Sequence, residues 1–360
     1  MKPHGEPEDN RWSDDSRTAC RLSRLDEIGG HGGMLVGSKL VYKPLQEGKK
    51  GERELLFYQW VAKEQQRGTR TGRFFPHFHG LARVDKRSET VVSFLAAARV
   101  VTLHVGTASL EDEAIQPSDE CFLVLDDLTA AYRLPCVMDV KVGTKTWGPD
   151  ALPPKIAKER KKYPPQAITG FRYTGMLLYR RERSTAAAPS QDWTPVRHPR
   201  SFGHAIDENA MPRGLNEFLD NGECIRRDVA LHFLATVDRI HRWMTSQSTW
   251  QFFGSSLLCV YDAYREGLCA PRIHMIDFAH AWRMTGPTAR DYGYIHGLEN
   301  IMRTLAHVGY GRIGPLRLPG PCDAKAVGEE TEWGEVERVK QEELRPTRDL
   351  DADVEVAVGW

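Results

Sequence analysis

Short apolar runs separated by polar, proline- or glycine-rich breaks dominate the chain, and their periods predict a mixed set of strands and helices. A glycine-rich turn, IGGHGG, leads into a strand predicted over residues 34–43. Residues 51–66 place Leu55, Tyr58 and Ala62 at helical spacing, and a basic loop over 67–76 follows. Residues 91–105 are apolar almost throughout, so strand and buried helix both stay open there. CFLVLDDLT, residues 121–129, reads as a short buried strand that runs into acidic residues, and CVMDVKVG, residues 136–143, reads as another. A turn at 147–150 precedes a basic helix, and GFRYTGMLLYRRE is again a strand. Residues 184–204 have the composition of a surface loop. Residues 224–247 carry the i, i+3, i+4 pattern of a long helix, and residues 291–308 predict a last one. Between them SSLLCVYDA and RIHMIDFAHAW alternate like the two strands of a hairpin. Residues 1–24 predict a flexible lead-in, and from 315 to 360 Pro, Gly, Glu and Lys predict a disordered tail.

Composition narrows the functional classes. The 360 residues suffice for two lobes with cores of their own, and 41% hydrophobic with 27% charged residues is a globular mixture. No apolar run approaches the roughly 20 residues that span a bilayer, and the polar N-terminus lacks a secretory core, so an intracellular protein is expected. Seven scattered cysteines contain no CxxC pair, which argues against zinc and against a disulfide framework. The 49 basic and 49 acidic residues cancel, so an anion site has to come from local clustering. KIAKERKKYP, residues 155–164, supplies five basic groups around Glu159; alone, it fits a solvated helix face as well as an anion site.

Several residue sets carry phosphoryl-transfer chemistry, which needs cations on the phosphates, carboxylates for a metal and a seat for the base. The HRD, DFG and GxxxxGK[ST] motifs are absent from the sequence. Lys43 ends a strand and Glu54 opens the next helix, the kind of pair that holds ATP phosphates, although a surface ion pair has the same spacing. The backbone of Asp126, Asp127 and Leu128, at the end of an apolar strand, suits a hinge that reads an adenine edge. Asp139 and Lys141, two apart on a strand, project from one face, and Gly143 allows a sharp turn after them. Asp277 ends another apolar strand, where a carboxylate calls for a cation; Ser255 or Ser256 can add an oxygen ligand, and His280 lies three residues on.

Taken together, Pro135, Asp139, Lys141 and Gly143 complete a PxxxDxKxG pattern that resembles the inositol polyphosphate kinase family, with SSLL (255–258) and IDF (276–278) following in the family's order. KYP, GMLLY and IDFAHAW are most similar to its multikinase subgroup. The resemblance implies an α+β, two-lobed kinase-like fold with antiparallel sheets: an N-lobe over 25–127, a C-lobe over 128–314, an ATP cleft between them, and a short inositol-phosphate-binding helical insertion at about 148–170. It implies ATP and Mg2+ as cofactors, with ATP held by Lys43, Glu54, Asp126, Asp127, Leu128 and Asp139, and metal held by Asp277 with Ser255 or Ser256. Lys141 would stand between ATP and the acceptor, making Asp139, Lys141 and Asp277 the catalytic set. Beside that set, Lys155, Lys158 and Lys162 become the expected inositol phosphate contacts, with Arg172 and His280 secondary. The expected acceptor is an inositol trisphosphate or tetrakisphosphate, with lipid phosphoinositide headgroups also open, in a nuclear or cytoplasmic monomer that requires no nucleic acid. The alternatives are a kinase of inositol hexakisphosphate and a non-catalytic scaffold that keeps the fold.

Overall fold

The computed structural model describes residues 22–24, 33–85, 88–97, 119–181, 193–264 and 269–321. The chain divides into a unit ending at Leu318, which holds every described element, and a second beginning at Pro319, of which three residues are described.

Two antiparallel sheets form the frame of the first unit. The N-terminal sheet has six strands in the order β1 (Ser23–Arg24), β2 (Leu35–Gly37), β3 (Leu40–Pro44), β6 (Asp119–Asp126), β4 (Phe78–Asp85) and β5 (Thr90–Ala96). The C-terminal sheet runs β12 (Arg272–Ile276), β11 (Ser256–Asp262), β7 (Pro135–Val142), β8 (Phe171–Arg181) and β9 (Trp193–His198). β6 is interior to the first sheet and β7 is central in the second, so the link after Asp126 carries the chain from one lobe to the other. A two-stranded ribbon pairs β10 (Trp250–Phe252) with β13 (Ala281–Arg283). The α+β, two-lobed architecture expected from the sequence is present.

Helix α1 (Lys49–Gln66) packs against the first lobe through Glu54, Phe57, Tyr58, Val61 and Ala62. Of the expected stripe, Tyr58 and Ala62 are buried and Leu55 lies at the margin; Leu56 is exposed, and the buried face also carries a carboxylate. Helix α2 (Pro153–Lys162), the expected basic helix, opens on two prolines suited to a first turn and buries none of its residues. It is held at its end, where Tyr163 is buried and donates from its hydroxyl to Ile206 O at 2.6 Å. The short α3 (Gln166–Thr169) and α4 (Arg200–His204) flank β8 and β9. Helices α5 (Met211–Leu219), α6 (Arg227–Ser246) and α7 (Tyr292–Gly309) contribute their apolar stripes to the C-terminal core. Where α7 meets the α3–β8 junction, a Cβ on Gly297 would lie 2.2 Å from Gly170 O, so only glycine lets the backbones approach this closely.

The structure departs from the sequence reading at several places. The single strand expected over 34–43 is a hairpin, because Ser38 and Lys39 both adopt positive φ (50° and 67°) and turn the chain between β2 and β3. Strand order begins before residue 25, since β1 pairs with β2 and Leu22 is buried in the N-lobe core. The loop expected over 184–204 contains edge strand β9 and helix α4, while residues 182–192 lie outside the described residues. Residues 91–96 resolve as strand within the 91–105 run, and 98–118 are outside the described set. Leu318, in the expected tail, is buried.

An aromatic cluster joins the lobes. Phe57 of α1 lies 4.0 Å from Phe278, 5.0 Å from Trp250 and 5.4 Å from Phe252, measured between ring centroids. Because Phe57 is fully buried at this junction, Phe57→Ala is expected to lower the unfolding free energy by about 3–5 kcal/mol, measured by urea denaturation.

Candidate active site

Lys43 projects from β3 into the junction of the lobes and meets two carboxylates: Glu54 Oε1 of α1 at 2.7 Å and Asp277 Oδ1 at 2.8 Å. The Lys43 and Glu54 side chains are 7% and 0% exposed, so this is not the surface ion pair that the spacing alone allowed. Burial opposes the Lys43 charge, but the Asp277 and Glu54 carboxylates outweigh it and hold its pKa above the ordinary lysine value. Glu54 Oε1 also accepts from the Phe278 amide at 3.1 Å, fastening α1 to the chain just past Asp277. Asp277 itself has φ +66°, a left-handed conformation that costs a non-glycine residue about 1–3 kcal/mol. That turn at the end of β12 aims its carboxylate at Lys43.

A row of side chains crosses the C-terminal sheet beside it. Ser256 of β11 faces Lys141 of β7, and Lys141 faces Arg172 of β8, while Ser256 also pairs with Ile276, the residue before Asp277. Directly opposed residues share a face of the sheet, and Asp139 shares it too, two residues before Lys141. Lys141 Nζ donates to Gly254 O at 2.6 Å. Asp139 is buried, and that burial raises its pKa despite the opposing Lys141 charge. Gly143 ends the row with φ +104°, and its amide donates to Gly170 O at 2.7 Å. Arg172 is buried and donates from Nη1 to Gln166 Oε1 at 2.9 Å, while Gln166 Nε2 donates to Gly143 O at 2.7 Å. Gln166 therefore ties the insertion to the strand motif, a link with no signal in the sequence.

The oxygens suit a hard cation. Asp139 Oδ1, Ser255 Oγ and Ser256 Oγ are buried without a well-formed hydrogen bond among the described residues. Ser256 lies near the Asp139 carboxylate and Ser255 near the Tyr294 hydroxyl, and a strained Asp277 carboxylate stands beside them. No group of three or more His, Cys, Asp or Glu gathers among the described residues. A hard divalent ion takes one or two carboxylates and completes its shell with water and phosphate oxygens, and the Asp277 carboxylate with the serine hydroxyls fits that requirement.

The hinge residues lie at the crossover between the sheets. The Asp126 and Asp127 amides already donate to His77 O (3.1 Å) and Lys39 O (2.9 Å), so of these three amides only that of Leu128 is left to meet a base edge. The Asp126 carboxylate pairs with His79 Nε2 at 2.7 Å, and Asp127 Oδ1 accepts from Thr129 N and Oγ1. Those two side chains hold the turn.

A cleft of about 710 Å3 opens between the first turn of α1 and the start of α2, lined by Lys50, Arg53, Asp150, Lys155 and His280 among others. Lys155 and His280 therefore sit together as the sequence suggested. Lys158 is exposed, whereas the half-buried position next to it is Glu159, which pairs with Lys162 and accepts from Thr146 Oγ1 at 3.0 Å. Burial opposes the Glu159 charge, but these two hydrogen bonds hold its pKa below the usual value. Arg53 is the cleft residue the sequence reading missed. It pairs with Asp150 Oδ2 at 2.6 Å and lies 3.9 Å from the Trp282 ring centroid. Its adjacency to Glu54 on a helix entering a phosphate site was the available clue.

Two lobes around a buried lysine–carboxylate pair, with a strand-borne DxK row, define a kinase-like protein. The sequence profile described as inositol polyphosphate kinase matches residues 122–306, more than half of the chain, and the chain belongs to that family. It is 31% identical over 144 residues to an inositol polyphosphate multikinase of Rattus norvegicus, covering 40% of this chain and 34% of that one. The chain thus matches about a third of the length of this relative. It is 29% identical over 308 residues to inositol polyphosphate multikinase IPK2 of Oryza sativa subsp. indica, covering 78% and 92% of the two chains. The crystal structure of inositol phosphate multikinase Ipk2 from S. cerevisiae, in complex with ADP and Mn2+, shares the fold with a TM-score of 0.54 at 16% identity, over 75% of this chain and 99% of that one.

His280 supplies a pH test. Burial, followed by the positive Lys155, Lys50 and Arg53, pushes its pKa down to about 4. The unfolded chain then binds the extra proton first, so the stability contributed by neutral His280 is complete above about pH 6.5 and drains away as the pH falls toward 4. His280→Gln is expected to flatten the fall in unfolding free energy between pH 6.5 and 4, read from urea titrations at each pH.

Proposed function

We propose that the chain transfers the γ-phosphoryl group of ATP to a free hydroxyl of an inositol trisphosphate or tetrakisphosphate, as a kinase of the multikinase type. The observation that carries this reading is the continuity of the site. The Lys43–Asp277 pair and the Asp139–Lys141–Arg172 face lie beside Ile276–Asp277, and the cationic cleft lined by His280 begins three residues further on. Family membership and relatives named multikinases support the substrate class.

The residues divide the work by chemistry. Lys43 has three donors, of which two are directed at Glu54 and Asp277, leaving one for a nucleotide phosphate. The Leu128 amide and neighbouring carbonyls seat the adenine edge, and the Asp139 carboxylate accepts from ribose hydroxyls. Asp277 with Ser255 or Ser256 would hold the divalent ion; when bound, it offsets charge on the β- and γ-phosphate oxygens. Lys141 stands between the nucleotide and the acceptor. The acceptor oxygen bonds to the γ-phosphorus as its bond to the ADP oxygen breaks, and the hydroxyl proton is released. Positioning and electrostatics suffice, with no covalent enzyme intermediate. Lys50, Lys155 and Lys158 bind the acceptor's phosphates, with His280 acting as a neutral hydrogen-bonding group.

The ADP and Mn2+ of the yeast neighbour fit the same pair of requirements, a nucleotide and a divalent ion. Purified protein with ATP, Mg2+ and a panel of inositol phosphates is expected to form ADP with a trisphosphate or tetrakisphosphate; ADP formation with none of the panel would sink the proposal. Asp277→Asn is expected to lower turnover by at least about 10²–10³-fold while far-UV circular dichroism shows the fold retained, the lost Lys43 partner lowering the melting temperature. A variant of normal turnover would remove Asp277 from the mechanism.

A further inference from the structure

The cationic cleft is not uniformly basic: Glu47 and Asp150 belong to its lining, and Glu159 stands further along α2 beyond that lining. Asp150 and Glu159 each already engage a cation that a phosphate would otherwise take. Asp150 Oδ2 holds Arg53 Nη2 at 2.6 Å, and the Trp282 ring, 3.9 Å from the guanidinium carbon, fixes that group in place. Glu159 lies on the side of α2 that carries Lys155 one turn earlier and Lys162 one turn later. Its Oε1 takes Lys162 and its Oε2 accepts from Thr146, and its charge also reaches Arg172. Stability does not account for them. Each pair keeps one partner in the open, Asp150 at 43% and Lys162 at 42% side-chain exposure, and ion pairs with a solvated member contribute only about 0–1 kcal/mol.

On the reading of this cleft as the acceptor site, we infer that Asp150 and Glu159 are specificity-determining residues that favour a sparsely phosphorylated ring over a fully phosphorylated one. A phosphate placed on Arg53 or Lys162 has also to face the adjoining carboxylate, and the like charges oppose each other in a partly desolvated site. A ring hydroxyl in the same place donates a hydrogen bond to that carboxylate. An inositol trisphosphate can set its phosphates on Lys50, Lys155 and Lys158 and turn hydroxyls toward Asp150 and Glu159. A hexakisphosphate has no hydroxyl to offer at either position.

Calorimetric titration of the full chain, with Mg2+ and a non-hydrolysable ATP analogue present, tests this with inositol trisphosphate and inositol hexakisphosphate as the two probes. Asp150→Asn and Glu159→Gln keep shape and remove charge. The double variant is expected to bind the hexakisphosphate about tenfold or more tightly than the parent does, while the trisphosphate, which loses its charged acceptors, binds no more tightly than before, and the melting temperature is unchanged. Each single variant is expected to give part of the shift. An unchanged ratio of the two affinities overturns the inference while leaving the kinase reading intact, and so does equal tightening of both probes. No binding of either probe, together with no ADP formation from any inositol phosphate, overturns the reading of the site and the inference with it.

Discussion

The Glu54 carboxylate is the point on which the two lobes agree. It is fully buried, and one oxygen accepts both from Lys43 Nζ and from the Phe278 amide. Strand β3, helix α1 and the segment after β12 are therefore fixed by one atom. A charge in this position is tolerated only because it is paired, and deleting one partner of such a pair typically costs about 3–5 kcal/mol. The aromatic rings stacked around Phe57 and Phe278 keep water from the pair, which strengthens it and holds the lobes at a set distance. The position of Lys43 relative to Asp277 follows from that packing, so any nucleotide geometry there is inherited from the core.

The same economy explains the strain at Asp277. A residue ending an ordinary strand would point its carboxylate along the sheet face. The positive φ turns it instead toward Lys43, and the buried Phe278 that follows holds the turn against relaxation. The Ser255 and Ser256 hydroxyls, buried without well-formed hydrogen bonds, lie on the adjoining strand segment. Polar atoms so placed and a strained carboxylate are both unfavourable in an empty protein. Both become useful once a cation and phosphates supply the missing interactions.

The sequence made the central strands legible because they are apolar runs interrupted by one or two charges. A buried strand that tolerates Asp139 or Asp277 has to have a use for it. The hairpin over 35–44 was hidden because Ser38 and Lys39 adopt positive φ without the Asn-Gly or Gly that usually marks such a turn. Strand β9 was hidden because an edge strand carries polar residues on its exposed side, so its composition reads as a loop. Helix α5 has no counterpart in the sequence reading, which assigns no element to residues 205–223, although its apolar stripe is strong. At the site, Arg53 was passed over beside Glu54. Neighbouring helical residues point roughly 100° apart, and here one enters the core while the other reaches across the cleft.

Glu159 shows the limit of reading charge by composition. A run of five cations with a single acid reads as basic, and the acid reads as incidental. The helix reverses that weighting. Lys158, Arg160 and Lys161 spread into solvent, where the counterions of roughly 0.15 M salt screen them within about 8 Å. Glu159 is turned inward, where screening is weaker and one charge has more effect than several exposed ones. The selectivity of a cleft for multiply charged ligands is thus set less by how many cations surround it than by which of them already face a carboxylate. In this chain two such cations flank the insertion: Arg53 of α1, paired with Asp150 in the loop before α2, and Lys162 in the last turn of α2. On the proposed reading, a ring bound along that helix would meet a carboxylate near each end, and its orientation would follow from where its hydroxyls lie.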